Sequence, residues 1–268
     1  MMWIVDLFRK NRLVRKEDTP EFFKRPMSGR VVGVTSGKGG VGKTTISCSV
    51  ASVLALHGKK TLVIDLDTGL RNMDILMNLS DKVTYNLYDV LEKKIPWQRA
   101  VIKVDKLDNL YILVSDHTRE KEAIRKDAFE QLLFELVRYF DFIIIDCPAG
   151  IEYGFRLAVS CADEEIVVAG PDMPSLRGAS QVIHLLYEKK PCVGVINRVI
   201  PKLREQGLCA GKQEAEEILG IPVVAEIPSD DAVVACAHLG IPIMLFDKKS
   251  PFKQAVTKFV TERYGLQG

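Results

Sequence analysis

Long apolar runs are missing from this chain: no stretch approaches the roughly 18 consecutive apolar residues that a membrane-spanning helix needs. An excess of one charge is missing too. Lys and Arg number 37 against 35 Asp and Glu, a formal net charge of +2, without the concentrated basic face of a nucleic-acid binder. No nucleic-acid partner is therefore expected. Near the start the basic residues follow the apolar ones, the reverse of a secretion signal, so the expected compartment is the cytoplasm. Paired cysteines are absent: Cys48, Cys147, Cys161, Cys192, Cys209 and Cys236 form no C-x-x-C, and the four histidines are scattered. That spacing excludes a metal cluster or a disulfide framework, and most of these cysteines read as small core residues.

What is present is a rhythm. Val31–Thr35, Thr61–Asp65, Leu110–Val114, Phe142–Asp146, Glu165–Gly170, Cys192–Asn197 and Val223–Ile227 are short, β-branched and almost free of polar alternation, the pattern of strands buried on both faces. Amphipathic stretches, Thr44–His57, Lys121–Phe140, Ser175–Tyr187 and Lys212–Leu219, lie between them. The alternation predicts an α/β P-loop three-layer fold, a mostly parallel sheet of seven to eight strands with helices on both faces. One such domain is expected over residues 27–268. Residues 1–26 stand outside the rhythm, as an extension with an apolar-then-basic segment and a charged linker holding two prolines.

The chemistry is carried by Ser36-Gly37-Lys38-Gly39-Gly40-Val41-Gly42-Lys43-Thr44-Thr45. Gly37-x-x-x-x-Gly42-Lys43-Thr44 matches the phosphate-binding loop, and it follows a β-branched strand and opens a helix, as that motif requires. Glycines let backbone N–H groups curl around phosphate oxygens, and the helix that follows presents its positive end. Lys43 is placed to reach the β and γ phosphates, and the Thr44 hydroxyl to ligate Mg²⁺. A second carboxylate is needed at another strand end to hold the water shell of the metal, and Asp146 closes Phe142–Asp146. Its alternative, a helix N-cap, is disfavoured by the loop residues Cys147-Pro148-Ala149-Gly150. Asp65 and Asp67 end the second strand in the same way, at the carboxyl edge where open α/β sheets bind ligands.

Lys38 lies inside the loop, five positions before Lys43. On these residues the chain resembles the ParA/MinD family of deviant Walker-A ATPases. The resemblance implies that ATP is sandwiched between two subunits, with Lys38 crossing to the partner's phosphates; the alternative is a solvated loop charge. Asp65-Leu66-Asp67-Thr68-Gly69-Leu70-Arg71-Asn72-Met73-Asp74 resembles the first switch of the MinD branch. Asp146-Cys147-Pro148-Ala149-Gly150-Ile151-Glu152 resembles its second, with Cys147 in place of a common serine. Pro171–Arg177 resembles the segment before a helix near the dimer and partner surface. The similarity runs from about Val31 to Leu245.

That branch implies an ATP-hydrolysing switch that dimerises on ATP and positions the division septum, with slow, partner-stimulated turnover. Its implied ligands are ATP/ADP and Mg²⁺; its implied partners are a second copy, a division inhibitor of the MinC type and an activator of the MinE type. By the same resemblance Asp67 positions or activates the attacking water, Asn197 reads adenine, and backbone at Pro228 to Asp230 closes over the ring. Asn197-Arg198-Val199-Ile200 lacks the aspartate of a GTP motif, which favours ATP. A flagellar-number regulator of the FlhG type, or another ParA-like cargo-positioning ATPase, is the alternative.

Membrane attachment is the open point. The MinD branch carries an amphipathic helix at its end, and Phe259–Gly268 reads instead as the continuation of a domain helix. At the other end, Trp3, Ile4, Leu7, Phe8 and Val14 fall within an arc of roughly 140° on a helical wheel, with Arg9, Lys10, Arg12, Arg15 and Lys16 mostly around the rest. This suits an interfacial helix on anionic lipid, and the protein is expected to be cytoplasmic and peripherally membrane-associated. The alternatives are docking on the protein's own surface, a protein partner, or an upstream start, since Met27-Ser28-Gly29-Arg30-Val31 resembles a family start.

Overall fold

The computed structural model describes residues 29–67, 73–116, 124–186 and 190–267. The extension at 1–26 and the first-switch residues 68–72 lie outside the described residues. Eight strands are described: β1 Arg30–Thr35, β2 Thr61–Asp65, β3 Ile102–Lys103, β4 Leu110–Leu113, β5 Phe142–Asp146, β6 Glu164–Ala169, β7 Cys192–Val199 and β8 Val223–Pro228. They form one sheet in the order β3-β4-β2-β5-β1-β6-β7-β8. The α helices are α1 Lys43–Leu56, α2 Met73–Leu76, α3 Leu87–Leu91, α4 Lys126–Leu136, α5 Tyr153–Cys161, α6 Met173–Leu186, α7 Pro201–Glu205, α8 Lys212–Leu219, α9 Asp231–Leu239 and α10 Pro251–Tyr264.

The sheet is parallel except at β3, which pairs antiparallel with β4. Period-two geometry divides its side chains between two cores. Val32, Val34, Val63, Ile144, Ile166 and Val168 pack on one face with α1 and α10. Their neighbours Val31, Leu62, Ile64, Ile143 and Ile145 point to the other face, against α4 and α5. On that second face, Val167, Ala169 and Ile196 meet α6 and α8. Both faces are covered, which explains why the strands read as unbroken apolar runs.

The three-layer α/β fold and the seven long strands are as expected, within one or two residues at each end. Two differences have physical causes. β3 is only two residues long and sits at the sheet edge, where one pair of antiparallel bonds suffices; so short a segment carries no period. The helix expected over Lys121–Phe140 is seen only as Lys126–Leu136, with residues 117–123 outside the description. Its end is set by a turn in which the Val137, Arg138, Tyr139 and Phe140 amides bond back to Leu133, Glu135 and Leu136 carbonyls.

Register is what places the site. Asp65 sits opposite Asp146, and Val34 opposite Asp146, in the β2–β5 and β1–β5 pairs. The carboxyl ends of β1, β2 and β5 are therefore level, and everything that leaves them shares one edge of the sheet.

Candidate functional site

The loop between β1 and α1 turns over this edge. Gly40 and Gly42 have φ of 80° and 91°, the left-handed region that glycine enters without strain. A Cβ on Gly42 would also stand 2.4 Å from Asn197 Nδ2. Gly37 is demanded for a different reason: a Cβ there would come within 2.0 Å of the Gly178 carbonyl group on α6. The first glycine of the motif thus lets a helix backbone rest on the phosphate loop. Gly39 and Gly40 face open space and are exposed. Lys38 is exposed between glycines; its carbonyl accepts from Ser36 Oγ at 3.1 Å, and its side chain makes no ion pair among the described residues. Val41 is buried, and its carbonyl accepts from Asn197 Nδ2 at 2.8 Å. No side chain caps the start of α1, which leaves first-turn N–H groups available to an anion.

Under the loop lies a compact set of charges. Lys43 is buried, and its Nζ lies 3.3 Å from both Asp67 Oδ2 and Asp146 Oδ1. Burial alone would lower the pKa of its ammonium, but the Asp146 and Asp67 carboxylates outweigh that and hold it above the usual lysine value. Thr44 Oγ1 donates to Asp146 Oδ2 at 2.7 Å, and Ser47 Oγ donates to Asp146 Oδ1 at 2.8 Å. Thr45 is half-buried on the same turn. Asp65, also buried, receives the Asp67 N–H at 2.8 Å. Burial, then the nearby Asp146 charge, pushes its carboxyl well above the usual range. Asp146, opposite Asp65 on the neighbouring strand, accepts from three side-chain donors, Lys43 Nζ, Thr44 Oγ1 and Ser47 Oγ.

The expected adenine end is assembled beside this. Asn197 lies on β7, which continues to Val199. Pro228 pairs with Val199, and the Ser229 N–H bonds the Val199 carbonyl at 2.8 Å, so Pro228–Asp230 runs alongside the end of β7. The Asp230 side chain is committed to the fold: it accepts from Ala232 N at 2.9 Å, Ser250 Oγ at 2.6 Å and Phe252 N at 3.3 Å. Partial burial raises its pKa, but these donors hold it below the usual value.

Sequence reasoning missed three participants. Ser47 is one helical turn past Lys43, which an i,i+4 reading from Lys43 would have flagged. Arg198 has φ of 63°, rare for a side chain with a Cβ and a recurrent mark of functional sites. Its Nε comes within 3.9 Å of where a Gly42 Cβ would be. Gly178 had no signal in one sequence. Of the switch segments, Thr68–Asn72 lie outside the described residues, and Asp74 begins α2 buried. The second switch is tied to the loop by the Gly150 N–H to Ser36 carbonyl bond, 3.3 Å, and leaves Ile151 exposed. Pro171–Arg177 runs into α6, where Met173 is exposed.

The donor set fits a nucleotide with Mg²⁺. Hydroxyl and carboxylate oxygens of Thr44 and Asp146 are the hard ligands this ion takes, with phosphates supplying others. Together the fold and site define a P-loop ATPase of the α/β class. Residues 29–191 match the family model described as an AAA domain. The septum site-determining protein MinD of Synechocystis is 38% identical over 225 residues, covering 82% of this chain and 84% of that protein. MinD of Escherichia coli is 37% identical over 227 residues, covering 81% and 84%. The chain belongs to the MinD family. In structure it is similar to the Aquifex aeolicus MinC:MinD cell division complex, with TM-score 0.83 and 34% identity over 90% of this chain and 97% of that one.

Proposed function

We propose that this chain is an ATP-hydrolysing switch that dimerises on ATP and positions the division septum. The observation that carries the reading is the convergence, on one sheet edge, of the bare start of α1, buried Lys43, the Thr44–Asp146 pair and half-exposed Asp67, with Lys38 exposed on the same loop. Structural relatives support the ligands: a Pyrococcus horikoshii MinD of 26% identity and TM-score 0.78 is complexed with Mg-ADP. The curated relatives described above are septum-site proteins, which favours this reading over flagellar-number control.

In this reading Lys43 leaves its carboxylates for the β and γ phosphates, and the amides of Gly39 to Thr45 cradle the same oxygens. Thr44 would ligate Mg²⁺ and Asp146 would hold its water shell; the ion, when bound, would neutralise phosphate charge. Asp67 sets the attacking water. Asn197 reads adenine, with Arg198 and the backbone at Pro228 to Asp230 forming the walls. Lys38 enters the partner's site. Turnover is slow until an activator of the MinE type corrects the water or the lysine. The γ phosphate orders both switches, and its loss releases them, which makes partner binding depend on nucleotide. In the MinC:MinD complex of Aquifex aeolicus the partner is MinC; a MinC-type inhibitor is proposed here. Co-purification from the source cells with ATP is expected to recover such an inhibitor, and recovery of a flagellar targeting GTPase instead would refute the septum assignment.

Membrane attachment is assigned to residues 1–16. No helix among the described residues is long and apolar enough to cross a membrane; the attachment proposed is interfacial. One short amphipathic helix binds weakly, and two, joined by the ATP dimer, bind by avidity. With anionic liposomes, full-length protein is expected to co-sediment with ATP and not ADP, and protein starting at Met27 to stay in solution. Equal binding by both would remove the anchor from the account.

A further inference from the structure

Three side-chain donors converge on Asp146: Lys43 Nζ at 3.3 Å, Thr44 Oγ1 at 2.7 Å and Ser47 Oγ at 2.8 Å. The function proposed above commits Lys43 to phosphate once nucleotide is bound, whereas Thr44, whose hydroxyl would ligate Mg²⁺ through a lone pair, keeps its proton for Oδ2, so only Oδ1 loses a donor. Ser47 is the donor that remains there. It is fully buried, on the inner face of α1, and its hydroxyl also reaches the Lys43 carbonyl at 3.1 Å. Its position is therefore fixed by the helix and not by the ligand. The hydroxyl lies on Oδ1, while Thr44 occupies Oδ2.

We propose that Ser47 is the positioning residue for Asp146: it holds Oδ1 so that Oδ2, beside Thr44, is presented to the water shell of Mg²⁺. This rests on the reading of Asp146 as the metal-shell carboxylate. Two buried carboxyl groups end adjacent strands here, and without Ser47 nothing but Lys43 holds Oδ1 of Asp146 among the described residues. In the loaded state Lys43 is gone as well, so loss of the hydroxyl should act on the metal-dependent step and spare the metal-free one.

The test is the affinity of the full chain for fluorescent mant-ADP across a Mg²⁺ titration, with the melting temperature of each ligand-free protein alongside. For Ser47→Ala, the Mg²⁺ concentration giving half of the affinity gain is expected to rise about tenfold, as for a lost hydrogen bond to a charged group. Mg²⁺-free affinity should stay within about twofold. Ser52→Ala is the control. Ser52 is buried on the same helix and makes the same kind of bond, to the Cys48 carbonyl at 2.7 Å, but touches no carboxylate, so its Mg²⁺ curve should match wild type. Ser47→Cys, nearly isosteric with a weak donor, is expected to shift in the same direction and carries the test if the alanine variant melts early. Asp146→Asn separates the two claims. If it shifts the Mg²⁺ curve and neither Ser47 variant does, the positioning role is overturned and the Asp146 reading stands. If Asp146→Asn leaves the curve unmoved, both fall.

Discussion

Asp67→Ala is expected to lower ATP turnover by about 10²–10³-fold, the range for loss of a group that orients or activates the nucleophile, while ATP binding is retained. The structure separates these two properties. Asp67 is at the exposed mouth of the site, its side chain 30% accessible, while Lys43 beneath it is 6% accessible and keeps Asp146 as a partner at 3.3 Å. Removing Asp67 therefore strands no buried charge, and a partly exposed ion pair of this kind contributes about 1 kcal/mol or less to stability. The fold, the loop and the lysine should survive. Single-turnover hydrolysis and equilibrium binding of mant-ATP check the two halves separately. Turnover within about threefold of wild type would contradict the assignment of Asp67 to the water, because losses of general-base or water-orienting groups are far larger.

Asp146 offers the opposite case and shows why the two aspartates are not alike. It is fully buried and receives three side-chain donors, so its removal would leave Lys43, Thr44 and Ser47 without their acceptor. A change there alters metal, lysine and helix together. That is the reason Asp67, and not Asp146, isolates the chemical step.

Much of this was legible in the sequence because it depended on local rules. Gly37 to Thr45 announces the loop by spacing, and Phe142–Asp146 announces a buried strand capped by a carboxylate. Seven strands were readable because burial on both faces erases polar alternation. What was not legible depended on contacts between distant segments. Gly37 reads as a phosphate-loop glycine, yet its lack of a Cβ is required by Gly178, 141 residues away, on α6. Asn197 reads as an adenine contact by resemblance, and the structure places its amide on the Val41 carbonyl, where it braces the loop. Asp230 was placed by its backbone alone, and its side chain proves to tie the start of α9 to the start of α10 through Ala232, Ser250 and Phe252. Arg198 escaped notice because a positive φ leaves no mark in residue type when the residue is not glycine.

The α6 contact has a consequence for signalling. Gly37 and Gly178 meet backbone to backbone, and the Ser36 carbonyl holds the Gly150 amide of the second switch. Two surface segments, one with Ile151 and one with Met173 exposed, are thus seated directly on the phosphate loop. A change in that loop reaches both without an intermediate element, as the proposed nucleotide-dependent partner surface requires.

The proposed dimerisation is the step on which the rest of the proposed switch depends. Lys38 is exposed, flanked by Gly37 and Gly39, and makes no ion pair among the described residues. Its removal should leave the ligand-free fold unchanged, and an isolated solvated lysine would be silent in every assay. If instead it crosses to the partner's phosphates, it supplies a charge-assisted contact in a closed, water-poor interface, where such contacts are strongest. The direct measurement is light scattering of the Asp67→Ala protein with ATP and Mg²⁺, with hydrolysis suppressed, beside the double variant with Lys38→Ala. The first is expected to show twice the 30.0 kDa chain mass, and the second the single-chain mass at the same concentration with mant-ATP still bound. A double variant that dimerises on ATP as readily as its parent would contradict the sandwich and the switch built on it.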